Sequence, residues 1–227
     1  MPYYEHGGIT IYHGDAREVL PGLAGDVVLT DPPYGVGFKY GAAYEDDETG
    51  YRAWITPIFA LMREAAPLVL LTPGICNVGI YPPPTWMLCW AKPGSTGRSG
   101  LGGFNCWEPV LMWGKRRIYQ DFYYLPPPTS AKPQKDTEEH PCPKPLKLFS
   151  WLVEQATDAG HTVLDPFMGS GTTLVAAKQL GRRAVGVEIE ERYCEIAAKR
   201  LSQEVMPLFD VERPVVTAQP VLAMEVA

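Results

Sequence analysis

The stretch "TVLDPFMGSGTTLVAAKQLGRRAVGVEIE", Thr162 to Glu190, decides the fold. An apolar run, TVLD, ends in a carboxylate, and two glycines, Gly169 and Gly171, follow it. Next come a segment free of Gly and Pro and a second run rich in Val and Ala, RAVGVE. Read by periodicity, this is a strand, a glycine turn, a helix from about Thr172 to Leu180, and a second strand. Backbone N–H groups at the helix start would then face a cleft. Glu188 stands at the end of the second strand. An acid there can accept hydrogen bonds from both hydroxyls of a ribose, as in nucleotide-binding strand–helix–strand units.

Three nucleoside cofactors compete for such a unit. A triphosphate loop needs GxxxxGK[ST], and no Lys follows these glycines. The dinucleotide fingerprint GxGxxG is absent as well. S-adenosyl-L-methionine remains, and it suits a turn that cradles an amino acid and an adenosine instead of a pyrophosphate. The alternative for this stretch taken alone is a glycine turn that only joins a strand to a helix.

Working outward, Leu146–Ala156 reads as a helix before this unit and Glu191–Gln203 as one after it. Toward the amino terminus, ITIYH is a strand, a short helical turn spans Arg17 to Leu23, and VVLT is a buried strand. Tyr51–Ala66 is a helix with Trp54, Ile58, Leu61 and Met62 on one face, which Pro57 should bend or break. PLVLLTPG, TWMLCWAKPG and WEPVLMWGKRR are strands, and Tyr119 to Pro145, crowded with proline, reads as irregular. Strands alternating with helices predict an α/β fold with a mostly parallel sheet and helices on both faces. Residues 1–205 are expected to form one domain, and 206–227 a tail.

A second strand end carries chemistry. In "VVLTDPPYGVG", Val27 to Gly37, a rigid Pro-Pro corner follows Asp31 at the carboxyl end of a strand. Ligands of open parallel sheets sit beyond the carboxyl ends of strands, so one cleft could hold both Asp31–Gly35 and Asp165–Gly171. An exocyclic aromatic amine is a poor nucleophile because its lone pair is delocalised. A carboxylate and a backbone carbonyl that accept its two N–H bonds make it more tetrahedral and reactive. Asp31 and the carbonyl of Pro32 could be those acceptors, with Tyr34 stacking on a flipped base.

Composition bounds the partners. With 46% hydrophobic residues the chain can bury a sizeable core. Its apolar runs stop short of the roughly 20 residues a membrane span needs, and MPYYEHGG lacks the basic start and apolar stretch of a signal peptide; the expectation is a cytoplasmic protein. Five scattered cysteines and four histidines in no ligand pattern predict free thiols and no metal. The net charge of −6 argues against a polyanion, but from Ala91 to Lys147 nine basic residues face five acidic ones, so that segment is +4 and the remainder −10. Lys92, Arg98, Lys115, Arg116, Arg117 and Lys132 are therefore candidate phosphate contacts, against the plainer reading of a solvated lysine-rich surface.

Asp-Pro-Pro-Tyr at Asp31–Tyr34 together with Asp-Pro-Phe-Met-Gly-Ser-Gly-Thr-Thr at Asp165–Thr173 resembles the amino-methylating DNA methyltransferases, which act on adenine N6 or cytosine N4. The order of the motifs looks like the circularly permuted beta group, with a Rossmann-like class I methyltransferase fold. The resemblance covers most of Gly8 to Leu201. It implies catalytic roles for Asp31, Pro32, Pro33 and Tyr34. It implies cofactor contacts at Phe167, Gly169, Gly171, Thr172 and Glu188, with Asp165 beside the methionine end and Asp15 near the adenine ring. In "HPCPKPLKL", His140 to Leu148, it places Lys144 and Pro145 at the cofactor's methionine end, although Cys142 and Pro143 stand where the family commonly has Thr and Gln. It further implies double-stranded DNA as partner, a small target-recognition insertion at about 94–139, and homodimerisation. An aspartate at the head of the catalytic motif is typical of adenine enzymes, whereas cytosine N4 enzymes usually carry serine. Alternatives are cytosine N4, RNA or a protein amide as target, or a binding module that has lost catalysis.

Overall fold

Four consecutive buried residues, Val27–Thr30, form strand β3 at the centre of the molecule. A strand covered on both faces needs such an unbroken apolar run, because every side chain meets a helix layer. The computed structural model describes residues 1–35, 50–93, 103–125 and 144–203. Among them the elements run β1 (Tyr4–His6), β2 (Ile9–His13), α1 (Ala16–Val19), β3, α2 (Tyr51–Ala65), β4 (Leu68–Leu71), β5 (Trp86–Ala91), β6 (Trp107–Trp113), β7 (Phe122–Tyr124), α3 (Leu146–Ala156), β8 (Thr162–Asp165), α4 (Thr172–Gln179), β9 (Arg183–Glu188) and α5 (Glu191–Ser202). One sheet of order β1-β2-β9-β8-β3-β4-β6-β5-β7 contains all the strands.

The block β2-β9-β8-β3-β4 is parallel throughout, while β6 runs antiparallel to both β4 and β5, and β1 antiparallel to β2. Alternating side chains feed two cores. Val27 and Leu29 pack with α3, α4 and α5, whereas Val28 packs with α1 and α2, so helices cover both faces. Burying each such side chain contributes about 1.5–3 kcal/mol, which makes the strand's register hard to shift.

Some local expectations meet a different outcome. Pro57 does not break α2, which runs on to Ala65. Pro57 and Ala53 both lie on the exposed side, so the carbonyl that loses its N–H partner there can bond water, while Tyr51, Ile55, Ile58, Phe59 and Met62 are held in the core. Within Tyr119–Pro145, Phe122–Tyr124 is an edge strand parallel to β5, three residues whose order comes from pairing and not from local pattern. β1 pairs with β2 across Gly7 and Gly8, whose φ values of 58° and 79° are those a tight hairpin demands. The described part of the expected insertion, 103–125, supplies β6 and β7 to the main sheet; its remainder and the tail 206–227 lie outside the described residues. No helix among the described residues is long and apolar enough to cross a membrane.

Candidate active site

From β3 the chain passes through α2 to β4 on one side; from β8 it passes through α4 to β9 on the other. The two crossover helices pack on opposite faces of the sheet. Neighbouring strands β3 and β8 therefore flank a topological switch point, where connections depart in opposite directions and leave a crevice beyond the carboxyl ends. Asp31 follows one of these strands and Asp165 ends the other.

On the β8 side Asp165 is 3% exposed and is held by the Thr30 hydroxyl at 2.6 Å and the Phe167 N–H at 3.1 Å. Burial pushes its carboxyl up to about 6 in spite of these donors. The turn after it has Gly169 at φ 49° and Gly171 at φ 81°. A Cβ on Gly171 would come within 2.9 Å of the Ala197 methyl on α5, so glycine is required there for close packing as well as for its backbone. Thr172 opens α4 and is buried, and Phe167 packs on Trp54 with ring centroids 5.5 Å apart.

Glu188 ends β9 with its two carboxylate oxygens fixed by separate backbone donors, Glu190 N–H at 2.9 Å and Gly169 N–H at 3.0 Å. Burial raises its carboxyl to about 7. A carboxylate offers about four acceptor sites, so the group is aimed but not exhausted. Asp15 lies alongside, since the next N–H back, Gly14, donates to the Glu188 carbonyl at 2.9 Å. Its carboxylate caps α1 and is clasped by Arg17, whose hydrogen bonds hold it below the usual carboxylate range. A fixed acid for a diol, a glycine turn opening a helix and a buried acid beyond it form a donor and acceptor set that fits an adenosyl amino acid.

On the β3 side one oxygen of Asp31, Oδ1, accepts from the Thr72 hydroxyl at 2.5 Å and the Tyr34 hydroxyl at 2.7 Å. Among the described residues no donor bonds Oδ2. The Asn77 amide donates to the Tyr34 carbonyl at 2.8 Å and pins the Pro-Pro-Tyr corner formed by Pro32, Pro33 and Tyr34. The Lys144 ammonium donates to the Tyr34 hydroxyl at 2.6 Å and lies 3.4 Å from Asp31 Oδ1 and 3.2 Å from Glu108. Burial alone would lower that ammonium, but Asp31, Tyr34 and Glu108 outweigh it and hold it well above its usual value. The Tyr34 phenol is pushed well up by burial and by Asp31, so both groups keep their protons. Pro145 stands at the start of α3, its carbonyl accepting from Leu148 and Phe149.

The expected site residues stand at two adjacent strand ends, and Lys144, which the resemblance put at the methionine end, contacts Asp31 and Tyr34. The expected phosphate contacts fare differently. Lys92 is ion-paired with Glu108 and its side chain is only 16% exposed, so its charge is spent inside the protein. Arg116 is anchored by both oxygens of Asp158 and by the Gln155 carbonyl. Lys115 and Arg117 are exposed but follow the end of β6 that pairs with the start of β4, opposite the crevice. Arg98 and Lys132 lie outside the described residues. Motif reading missed Thr30, Thr72, Asn77 and Glu108. The two threonines had a signal, since VVLT and LVLLT both close on Thr at the carboxyl end.

A doubly wound sheet with reactive groups at its switch point defines a Rossmann-like methyltransferase fold. The chain belongs to the amino-methylating DNA methylase family, whose family model, described as DNA methylase, matches residues 101–199. It is 31% identical over 209 residues to the putative methylase YubD of Escherichia coli (strain K12), covering 83% of this chain and 88% of that one. It is also 25% identical over 267 residues to Type II methyltransferase M.ScaI of Streptomyces caespitosus, covering 92% and 86%. Among solved structures, the M1.HpyAVI–SAM complex superposes with a TM-score of 0.63 at 25% identity, covering 86% of this chain and 99% of that one. The PvuII cytosine-N4-specific DNA methyltransferase superposes at 0.68 with 17% identity, covering 90% of each, a likeness of fold. The protein is a DNA methyltransferase acting on an exocyclic base amine.

Proposed function

We propose that this chain transfers the methyl group of S-adenosyl-L-methionine to the N6 amine of adenine in double-stranded DNA. The observation that carries the reading is the asymmetry of Asp31: Thr72 and Tyr34 hold Oδ1, and Oδ2 has no donor among the described residues. A carboxylate fixed through one oxygen offers the other as a ready acceptor, with no reorganisation needed when a substrate arrives.

The cofactor, when bound, supplies a methyl group made electrophilic by a positively charged sulfur. Glu188 would accept hydrogen bonds from its ribose hydroxyls, the Gly169–Thr172 turn would border the amino-acid moiety, with Asp165 behind that turn, and Asp15 would lie toward the adenine ring. The target base leaves the duplex, as enzymes that modify bases require. Asp31 Oδ2 and the Pro32 carbonyl accept the two N–H bonds of its amine and concentrate the lone pair on nitrogen. The Tyr34 ring offers a stacking surface for the base, while Lys144 holds its hydroxyl end. Once methylated, the amine sheds a proton to Oδ2 and from there to solvent. Phe104, Trp107 and Tyr124, all exposed, stand at the carboxyl-end rim of the sheet and offer stacking surfaces for the opened strand. We read the chain order, with the β3 motif ahead of the β8 motif, as the permuted one.

Adenine is favoured over cytosine by the aspartate at the head of the motif, where cytosine N4 enzymes usually carry serine. The test is to incubate the protein with unmethylated genomic DNA and methyl-labelled S-adenosylmethionine, digest to nucleosides and identify the product by mass spectrometry. N6-methyladenine is expected. N4-methylcytosine would overturn the base assignment and keep the chemistry, and the absence of any labelled nucleoside would overturn the reading.

A further inference from the structure

Glu108 belongs to none of the motifs, yet it is 9% exposed and is the second residue of β6, opposite Trp90 of β5. Its two oxygens face different cations. Oε1 meets the Lys92 ammonium, and Oε2 meets Lys144 at 3.2 Å. Both ammoniums also lie over the Trp90 ring, at 5.1 and 5.8 Å from its centroid. Two cations and two anions, Asp31 included, thus form one cluster with no formal net charge. Groups buried this deeply are tolerated only when each charge is matched.

Lys144 is the member shared between carboxylates. It lies 3.2 Å from Glu108 and 3.4 Å from Asp31, while its shortest bond, 2.6 Å, is to the Tyr34 hydroxyl. Without the pull of Glu108, its attraction to Asp31 would be unopposed, and the ammonium would close on the carboxylate that has to receive the substrate. A cation bound there competes with the N–H bonds of the amine and drains the charge that activates it. Lys92 keeps Glu108 ionised and in place, since neighbouring Lys144 and Lys92 overcome the effect of burial and lower its carboxyl.

We propose that Glu108 is a positioning residue for methyl transfer, holding the Lys144 ammonium on the Tyr34 hydroxyl and off the substrate-facing oxygen of Asp31. The proposal rests on the reading of Asp31 as acceptor of the target amine. In Glu108→Gln, kcat with DNA is expected to fall about tenfold, the size of effect that misplaced catalytic groups produce, while cofactor affinity stays within about twofold. Because Glu108 acts through Lys144, the same change made in a Lys144→Met background should cost nothing further; losses that multiply would overturn the proposal, as would unchanged kcat in the single variant. If Glu108→Gln leaves too little folded protein, Lys92→Met/Glu108→Gln removes one charge of each sign and should show the same catalytic loss; full activity there would likewise overturn it. Product is counted as total methylated nucleoside, so N4-methylcytosine from the parent would sink the adenine assignment and leave this test intact. Should the parent methylate no base at all, a crystal structure of Glu108→Gln still decides: Lys144 Nζ moved closer to Asp31 supports the tether, and an unmoved Nζ refutes it.

Discussion

Asp31 and Asp165 stand at the carboxyl ends of neighbouring strands and are held in the same manner, each by a threonine hydroxyl at the end of the next strand over. Thr72 serves Asp31 and Thr30 serves Asp165. Their surroundings separate them. Asp165 is 3% exposed with no ion pair among the described residues, and its carboxyl is raised to about 6; the side chain of Asp31 is 29% exposed and has Lys144 at 3.4 Å. One repeated local device thus yields a sequestered acid on one side and a solvent-accessible carboxyl on the other, which in the proposed reading serve cofactor and substrate respectively. What a strand-end aspartate does is set by what stands next to it, and the division predicts that damage to one side leaves the other working.

The largest break in that division should come from Asp31→Ala. Methyl transfer is expected to drop by about 10²–10⁴-fold, the usual worth of a positioned proton acceptor, with cofactor affinity unchanged within a few-fold. Calorimetry with S-adenosylmethionine alongside a single-turnover assay reads both quantities; near-normal turnover, or lost cofactor binding, would erase the boundary between the two sides. Glu188→Gln is the mirror experiment. Replacing a charged acceptor of two hydroxyls should weaken cofactor binding about 10- to 100-fold, whereas turnover at saturating cofactor is largely kept. Unchanged affinity would remove Glu188 from the site.

How much of this was legible in the sequence follows the same boundary. The cofactor side is local: TVLD, the two glycines, α4 and Glu188 fall within one short stretch, so periodicity and turn chemistry found nearly every member. Asp31 and Tyr34 were legible for the same reason. Asn77 and Glu108 were not, because they come from separate places in the chain and meet Tyr34 and Lys144 only when the sheet forms, whereas Thr72 showed only as the close of an apolar run and Lys144 only through the family resemblance. Lys92 shows the cost of reading charge without pairing, since a basic residue in a basic segment reads as a phosphate contact until a buried glutamate is found beside it. Likewise Arg116 counts toward a polyanion patch until Asp158 takes it.

The paired threonines sharpen the comparison further. Thr72→Val should reduce kcat about tenfold by freeing Asp31, with little change in stability because that carboxylate can still meet water. Thr30→Val removes a donor from a buried acid and should instead lower stability by about 1–3 kcal/mol, seen as a shift of the denaturant midpoint at constant slope. If both variants gave the same mixture of losses, the two sides would not be separable.

The smallest effect expected is a dependence of cofactor binding on pH. Asp165 and Glu188 are raised to about 6 and about 7 in the folded protein, so between about pH 4 and pH 7 the folded chain holds more protons than the unfolded one. Stability of the cofactor-free protein therefore declines as pH rises through that window. Ribose hydroxyls donate to Glu188 and so favour its ionised form, which reverses the slope for binding. Affinity should improve about fourfold from pH 6.5 to pH 8, as expected for a group titrating near 7 whose anion binds best. In thermal melts the cofactor should accordingly stabilise the protein more at pH 8 than at pH 6.5. The Glu188→Gln variant, having no acid at that position, should lose most of this difference, and a parent protein whose affinity is flat across the range would show that the raised carboxyl is not where the cofactor binds.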